Sequence, residues 1–115
     1  MTLRLTPNVL ARAYALLRAT SPFIRWKLPP PEAVTFRVTA SKTTRGHYVL
    51  LASGHEIAIS RRLVGYCPAL LATMAHEMTH LRLRLIGKGN VNHGAAFQAL
   101  ARSVCKHQGF DPKEF

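Results

Sequence analysis

The sequence has few acidic residues, few cysteines and no long hydrophobic run. It contains 5 Asp and Glu against 16 Lys and Arg, which gives a formal net charge of +11 with neutral histidines. The 2 cysteines, Cys67 and Cys105, are too few for a disulfide scaffold and lack the C-x-x-C spacing of a zinc ribbon, so we expect free thiols in a reducing compartment. No stretch reaches the roughly 18 apolar residues that a membrane span needs, and we expect no membrane partner.

The chain length and the charge also limit the classes of protein. A chain of 115 residues, 48% of them apolar, can bury one hydrophobic core but not two. We therefore predict one domain over residues 1–115, without a C-terminal zinc ribbon, acting as a monomer. The excess of positive charge favours a polyanionic partner such as nucleic acid.

Hydrophobic periodicity predicts a helix, three strands and two further helices, in that order. The first helix, over residues 7–20, has Thr6 as its N-cap and Pro7 at its first position. Alternation predicts a first strand over 34–39, and the turn at Ser53-Gly54 predicts a hairpin of strands 47–51 and 55–59. The expected fold class is α+β with a three-stranded sheet of antiparallel type.

The two remaining helices follow the strands. A long helix over residues 68–86 carries an apolar stripe of Leu70, Leu71, Met74, Met78, Leu81 and Leu85. Gly87 is expected to end it in a left-handed conformation, and the last helix is expected to start at Asn90 or Asn92 and run to about residue 106. An irregular connector before the first strand is expected to place Phe23, Ile24, Trp26 and Leu28 on the core.

The long helix contains an H-E-x-x-H motif, His76-Glu77-Met78-Thr79-His80. Two histidines four residues apart lie one helical turn from each other, so both imidazoles can reach one zinc ion at about 2.0–2.1 Å. They lie opposite the apolar stripe, beside the small residues Ala69, Ala72 and Thr73. Solvated histidines are the alternative interpretation, but they leave these small neighbours unexplained.

A catalytic zinc ion needs a third protein ligand, and His93 is the best candidate. It lies thirteen residues after His80, where the chain returns into the last helix, and Phe97 would anchor that helix in the core. Asp111 and Glu114 are alternative oxygen donors near the end of the sequence. His107 lies about 21 Å of helical rise from His93 and is a weaker candidate.

The metal motif followed by Asn92-His93-Gly94-Ala95-Ala96-Phe97 resembles the SprT-like metallopeptidases, which include the spartan-type proteases that act on proteins crosslinked to DNA. The resemblance extends to the Gly-His-Tyr and Glu-Ile-Ala-Ile-Ser segments and covers about residues 7–110. It implies a small zincin-like domain with broad peptidase specificity. It also implies a zinc ion held by His76, His80 and His93, with Glu77 as the catalytic carboxylate.

The expected chemistry is peptide hydrolysis. A zinc ion in such a site activates water and polarises a carbonyl group, and Glu77 can carry the proton of that water to the leaving amine. The group that stabilises the oxyanion stays open among His47, Tyr48, His55 and Tyr66. Backbone carbonyls are the expected partners of the ligands' second nitrogens, with Glu32 and Glu56 as alternatives.

Six basic residues are candidate nucleic-acid contacts: Arg25, Lys27, Lys42, Arg45, Arg61 and Arg62. On one side of the domain they would bind phosphates, and Trp26 or Tyr48 could stack on an unpaired base. The alternative is a basic, solvated surface without a patch.

The leading functional hypothesis is a zinc-dependent endopeptidase that cleaves protein bound or crosslinked to DNA, including single-stranded DNA. We expect it in the cytoplasm with the nucleoid, or in the nucleus of a eukaryote. One alternative is a DNA-binding module in which zinc holds the helices together. The other is a zinc hydrolase for a non-protein amide.

Overall fold

The protein is described by a computed structural model over residues 4–88 and 93–115, and within these ranges it has three α-helices and three strands. The helices are α1 (Pro7–Arg18), α2 (Cys67–Leu85) and α3 (Ala95–Gln108). The strands are β1 (Val34–Thr39), β2 (Gly46–Leu51) and β3 (Gly54–Ser60), and two short 3-10 turns cover Phe23–Arg25 and Pro31–Ala33. The predicted α+β class and the predicted order of elements are confirmed.

Helix α1 and the connector after it cover one side of the core. Thr6 caps α1 as predicted, because its Oγ1 accepts the N–H of Val9 at 3.2 Å. The buried Tyr14 donates its O–H to the carbonyl of Pro29 at 2.6 Å, which fixes the connector to the helix. The connector buries Phe23, Trp26 and Leu28 as expected. The prediction for Ile24 is wrong, because its side chain lies on the outer side of the 3-10 turn and is 60% exposed.

The sheet is mixed, so the prediction of an antiparallel type is wrong. Strands β2 and β3 form the predicted antiparallel hairpin, but β3 lies between the other two strands and β1 pairs with it in parallel. The loop from β1 therefore passes over the end of β3, where Ser60 Oγ donates to the carbonyl of Ser41 at 2.7 Å. Alternating hydrophobicity defines the buried face of a strand but carries no information on the direction of its neighbour.

Helix α2 is buried on more than the predicted stripe. Leu70, Met74, Met78 and Leu81 are buried as predicted, whereas Leu85 is 42% exposed and that prediction is wrong. A second side of the helix packs on α3, where Leu83 is buried against Phe97 and Ala101. In the last turns of α2 the buried leucine is therefore Leu83 and not Leu85.

The ends of the two later helices determine how the chain returns to the site. Gly87 has φ +78°, the left-handed conformation predicted for the end of α2. Helix α3 begins at Ala95 with Gly94 at the N-cap, and the two expected caps, Asn90 and Asn92, lie outside the described residues. Across the described ranges, none of the helices combines the length and the apolar character needed to cross a bilayer.

Candidate metal centre

The structure brings three histidines together. His76 and His80 lie one turn apart on α2, and His93 lies just before α3. The Nε2 atom of His93 is 3.1 Å from Nε2 of His76 and 3.1 Å from Nε2 of His80. His93, which lies thirteen residues after His80 in the sequence, is therefore in contact with both histidines of α2.

The three nitrogens fit a zinc ion. Tetrahedral bonds of 2.0–2.1 Å separate two ligand atoms by about 3.3 Å, close to the spacing found here. Imidazole nitrogen is a donor that suits zinc. Nδ1 of His76 donates to the carbonyl of Phe115 at 2.7 Å, so its Nε2 keeps a lone pair directed at the other two rings. The cluster is therefore a candidate metal centre with three protein ligands.

The protonation of the histidines also favours metal binding. Burial lowers the pKa of His76, and the hydrogen bond to Phe115 only partly opposes this. Burial, together with the positive charge that His76 and His93 can carry, lowers the pKa of His80 to about 4. His80 is therefore neutral at neutral pH, which is the form that binds metal.

Phe97 forms the apolar wall behind the three rings. Its side chain is 2% exposed, and its ring centroid lies 4.9 Å from that of His76 and 4.7 Å from those of His80 and His93. Phe97 is fixed in the core by α3, and its ring packs against all three imidazoles. Phe97 thus does more than the helix anchoring expected from the sequence.

Glu77 lies beside the histidines at the base of a cleft. The cleft is lined by Arg45, Gly46, Ala72, Thr73, His76, Glu77, Glu114 and Phe115. Glu77 is 5% exposed, and burial raises the pKa of its carboxyl group to about 8. The carboxyl therefore sits where it can exchange protons with a molecule bound in the cleft at neutral pH.

Gly46 allows β2 to pass directly over Glu77. A Cβ atom at this position would lie 2.9 Å from the carbonyl oxygen of Ala58 and 3.2 Å from both Glu77 Oε2 and Thr73 Cγ2. All three neighbours belong to the backbone or to buried side chains and cannot move away easily. Only glycine fits here without displacing the strand from the site.

Gly46→Ala is therefore expected to destabilise the fold by about 1–3 kcal/mol, the usual cost of overpacking. The matched control is Gly65→Ala, because a Cβ atom there meets nothing within 4 Å. Urea denaturation of the two variants measures the difference. Equal stability of the two would show that β2 does not press on Glu77.

The partners of the ligands and the other candidate donors are now placed. Backbone carbonyls were expected to accept from the second nitrogens of the ligands. For His76 the acceptor is the carbonyl of Phe115, which lies 39 residues away in the sequence and could not be identified from it. Glu56 instead faces Arg37 and His47 on the sheet at 3.4 Å. Among the other predicted donors, Glu114 lines the cleft but lies outside the histidine cluster.

Three predicted residues lie away from the metal centre. Glu32 lies exposed in the 3-10 turn before β1. Asp111 accepts the N–H of Lys113 at 2.9 Å, and His107 donates to the carbonyl of Ser103 at 2.8 Å on an exposed part of α3.

A second cavity borders the three histidines. Its lining shows which of the residues proposed to stabilise the oxyanion lie near the candidate metal centre. It is lined by Gly46, His47, Tyr48, His76, Glu77, His80, Arg84 and His93. His47 and Tyr48 line it directly, and His55 lies behind Tyr48, with Nδ1 2.7 Å from the phenol oxygen. Tyr66 lines a separate groove. Arg84, which the sequence interpretation did not consider here, also lines the cavity.

The six basic candidates fall into two groups, all exposed. The loop before β2 and the turn after β3 are joined, because the N–H of Ser60 donates to the carbonyl of Arg45 at 2.7 Å. Lys42, Arg45, Arg61 and Arg62 thus share one end of the sheet, which we call the basic end. Arg25 and Lys27 flank Trp26, whose carbonyl accepts from Arg82 in the last turn of α2. Arg82 is fifteen residues, or about 22 Å of helical rise, from the first residue of α2, Cys67, which follows the turn after β3. The two groups of basic residues therefore lie near opposite ends of α2.

Three clustered imidazoles beside a buried carboxyl group, in a small α+β domain, are an arrangement expected of a metallopeptidase-like domain. Comparison with protein families gives the particular family, because the SprT-like family matches residues 13–114, nearly the whole chain. The chain belongs to the SprT-like family. A comparison with curated proteins finds no match.

Proposed function

We propose that the chain is a zinc-dependent endopeptidase with a zincin-like site that cleaves proteins bound or crosslinked to DNA. The observation that carries this proposal is the approach of three Nε2 atoms to 3.1 Å beside the buried Glu77. Membership of the SprT-like family supports the same reaction class. In this proposal His76, His80 and His93 are the metal ligands and Glu77 is the catalytic base.

The reaction needs a proton carrier, and Glu77 has the properties of one. A zinc ion held by the three histidines would supply an activated water molecule and a polarised scissile carbonyl. Glu77 accepts a proton from this water as the oxygen adds to the carbonyl carbon. It then gives the proton to the amide nitrogen as the C–N bond breaks. A carboxyl group with a pKa of about 8 can both take and release a proton near neutral pH.

The edge of the sheet supports a peptide as substrate. Within the described part of the chain, β2 pairs only with β3, so its other edge is free to hydrogen-bond with an extended peptide. Gly46, His47 and Tyr48 of this strand line the cavity of the three histidines. An added peptide strand would therefore run past the metal centre.

The basic end supports DNA as a partner. Its four cations lie at the end of the sheet where β2 begins, and Arg45 also lines the cleft that contains Glu77. Phosphates bound there would hold a DNA-attached protein at the cleft. We expect the domain to act as a monomer. We expect it to be located with the nucleoid, or in the nucleus of a eukaryote.

The proposal is tested by incubating zinc-loaded protein with a DNA-binding protein, with and without single-stranded DNA. We expect cleavage that depends on DNA and is lost in Glu77→Gln. Cleavage that is equal without DNA would contradict the DNA-directed substrate class. Hydrolysis of small amides without any cleavage of protein would favour the non-protein alternative.

The triple variant Lys42→Glu, Arg61→Glu, Arg62→Glu is expected to weaken binding of single-stranded DNA by at least about tenfold. Loss of three phosphate contacts should also reduce the slope of log affinity against log salt by about 2. Fluorescence anisotropy at several salt concentrations measures both quantities. Arg45 is left unchanged because it lines the cleft.

The matched control for the basic end is Arg25→Glu, Lys27→Glu at the far end of α2. This variant is expected to retain most of the DNA affinity. Similar losses per inverted charge in the two variants would favour the alternative of a uniformly basic surface.

A further inference from the structure

Arg84 continues the row of metal ligands along α2. His76, His80 and Arg84 follow one another at intervals of four residues, so their side chains lie on the same face of the helix. Arg84 lines the second cavity together with the three histidines. Its guanidinium group is therefore placed on the wall of the candidate metal centre.

The guanidinium of Arg84 has an unused donor. Its Nε atom is buried, and across residues 4–88 and 93–115 it has no hydrogen-bond partner. The carboxylate ion pairs found in these residues are those of Glu56 with Arg37 and His47, and they do not include Arg84. A buried donor without an acceptor is costly, which points to an acceptor supplied by a bound molecule.

Tyr48 provides a second donor on the wall formed by β2. Its phenol oxygen is 2.7 Å from Nδ1 of His55, and the two rings stack with centroids 5.9 Å apart. Burial raises the pKa of Tyr48, although the charge of Arg84 and a hydrogen bond from its guanidinium oppose this, so the phenol keeps its proton at neutral pH. When His55 donates from Nδ1 to the phenol oxygen, the phenol hydrogen is free to point into the cavity. The second cavity thus combines a guanidinium group on α2 with a phenol O–H donor on β2.

We propose that Tyr48 and Arg84 are catalytic residues that donate hydrogen bonds to the scissile carbonyl oxygen as it becomes negative. This inference rests on the proposed peptidase function. When water adds to the carbonyl carbon, the π electron pair moves onto the oxygen, and the two donors stabilise this charge. When the C–N bond breaks, the pair returns to re-form the carbonyl. Donors fixed in advance in a partly desolvated cavity are effective at this step.

The test uses Tyr48→Phe and Arg84→Gln, each of which removes donors from the wall and adds no bulk. We expect kcat/KM for a peptide to fall by about 10²–10³-fold in each, with the loss in kcat and little change in KM. Zinc content and zinc affinity should not change. Tyr66→Phe is the matched control, because Tyr66 is exposed and lines a different groove.

A second readout is the binding of a phosphinic peptide, whose tetrahedral anionic phosphinate replaces the scissile amide. Its dissociation constant, measured by calorimetry on zinc-loaded protein, should rise in Tyr48→Phe and Arg84→Gln in parallel with the loss of kcat/KM. Arg84→Lys should restore part of the affinity, because it keeps the charge but not the planar group. Circular dichroism establishes that each variant is folded.

Unchanged phosphinic affinity in the folded variants would overturn this inference while leaving the peptidase function intact. An effect of Arg84→Gln confined to peptides with a free carboxylate next to the scissile bond, and absent from amidated peptides, would show that Arg84 binds the substrate's terminus instead. That result would also overturn it. A wild-type protein that binds zinc but cleaves no peptide would overturn the proposed function itself.

Discussion

Glu77→Gln is expected to reduce peptide cleavage by at least about 10²–10⁴-fold, the contribution of a positioned acid or base. The amide has nearly the same shape as the carboxyl group, so it keeps the packing under Gly46 but cannot accept the proton of the attacking water. The ligands are unchanged, and the variant should bind zinc as the wild type does. Cleavage assays at matched zinc content measure the loss. Substantial turnover by the zinc-loaded variant would exclude Glu77 as the base.

Glu77→Gln is expected to lower activity but to raise the stability of the metal-free protein relative to the wild type at high pH. The pKa of Glu77 rises from its ordinary 4.5 to about 8 in the fold because of burial. Between these values the folded state holds a proton that the unfolded state has lost, so the stability of the wild type falls as pH rises from about 4.5 to 8. Gln does not titrate, so metal-free Glu77→Gln should lose less stability over this range.

Urea denaturation of both metal-free proteins at pH 5 and pH 8.5 measures this difference. We expect the advantage of the variant over the wild type to grow by a few kcal/mol between the two pH values. A constant difference would show that the carboxyl group is not desolvated in the fold. The result separates the electrostatic environment of Glu77 from its role in the reaction.

His93→Ala is expected to lower the affinity for zinc by well over about 100-fold, because loss of even an indirect partner of a ligand costs about 10–100-fold. It removes the nitrogen that lies 3.1 Å from both helix histidines. Competition with a coloured chelator measures the affinity. The matched control is His107→Ala, which removes an exposed histidine on α3. Equal zinc affinity of the two variants would show that His93 is not a ligand.

Removal of zinc is expected to leave the fold largely intact. The main hydrophobic core contains none of the three histidines and is built from α1, the connector, the sheet, α2 and α3. Circular dichroism before and after a chelator should therefore change little while cleavage is lost. Collapse of the fold would instead support the DNA-binding module with a structural zinc ion.

The sequence predicted the candidate metal centre better than the sheet around it. A helix fixes residues at intervals of four on one face, so the proximity of His76 and His80 follows from their spacing alone. The glycine break and Phe97 then indicated that the chain returns with His93 towards them. The structure brings these residues together, and the roles assigned to them remain predictions.

Contacts between distant segments were beyond sequence reasoning. Every residue has a backbone carbonyl, so the sequence could not indicate that the carbonyl of Phe115 accepts a hydrogen bond from His76. The parallel pairing of β1 with β3 was missed because alternation is the same in both directions. Arg84 was not among the predicted site residues, since the cavity that it shares with Tyr48 exists only once β2 lies beside α2.

The residue pattern alone determined the α+β class, the long helix and the spacing of the potential ligands, because these depend on local periodicity and on nearby chain breaks. Only the tertiary structure decided which strand lies at the centre of the sheet, how deeply Glu77 is buried and which donors face the histidines. These features depend on how separate segments pack. Packing is set by the shape and volume of many side chains together, which no short stretch of sequence contains.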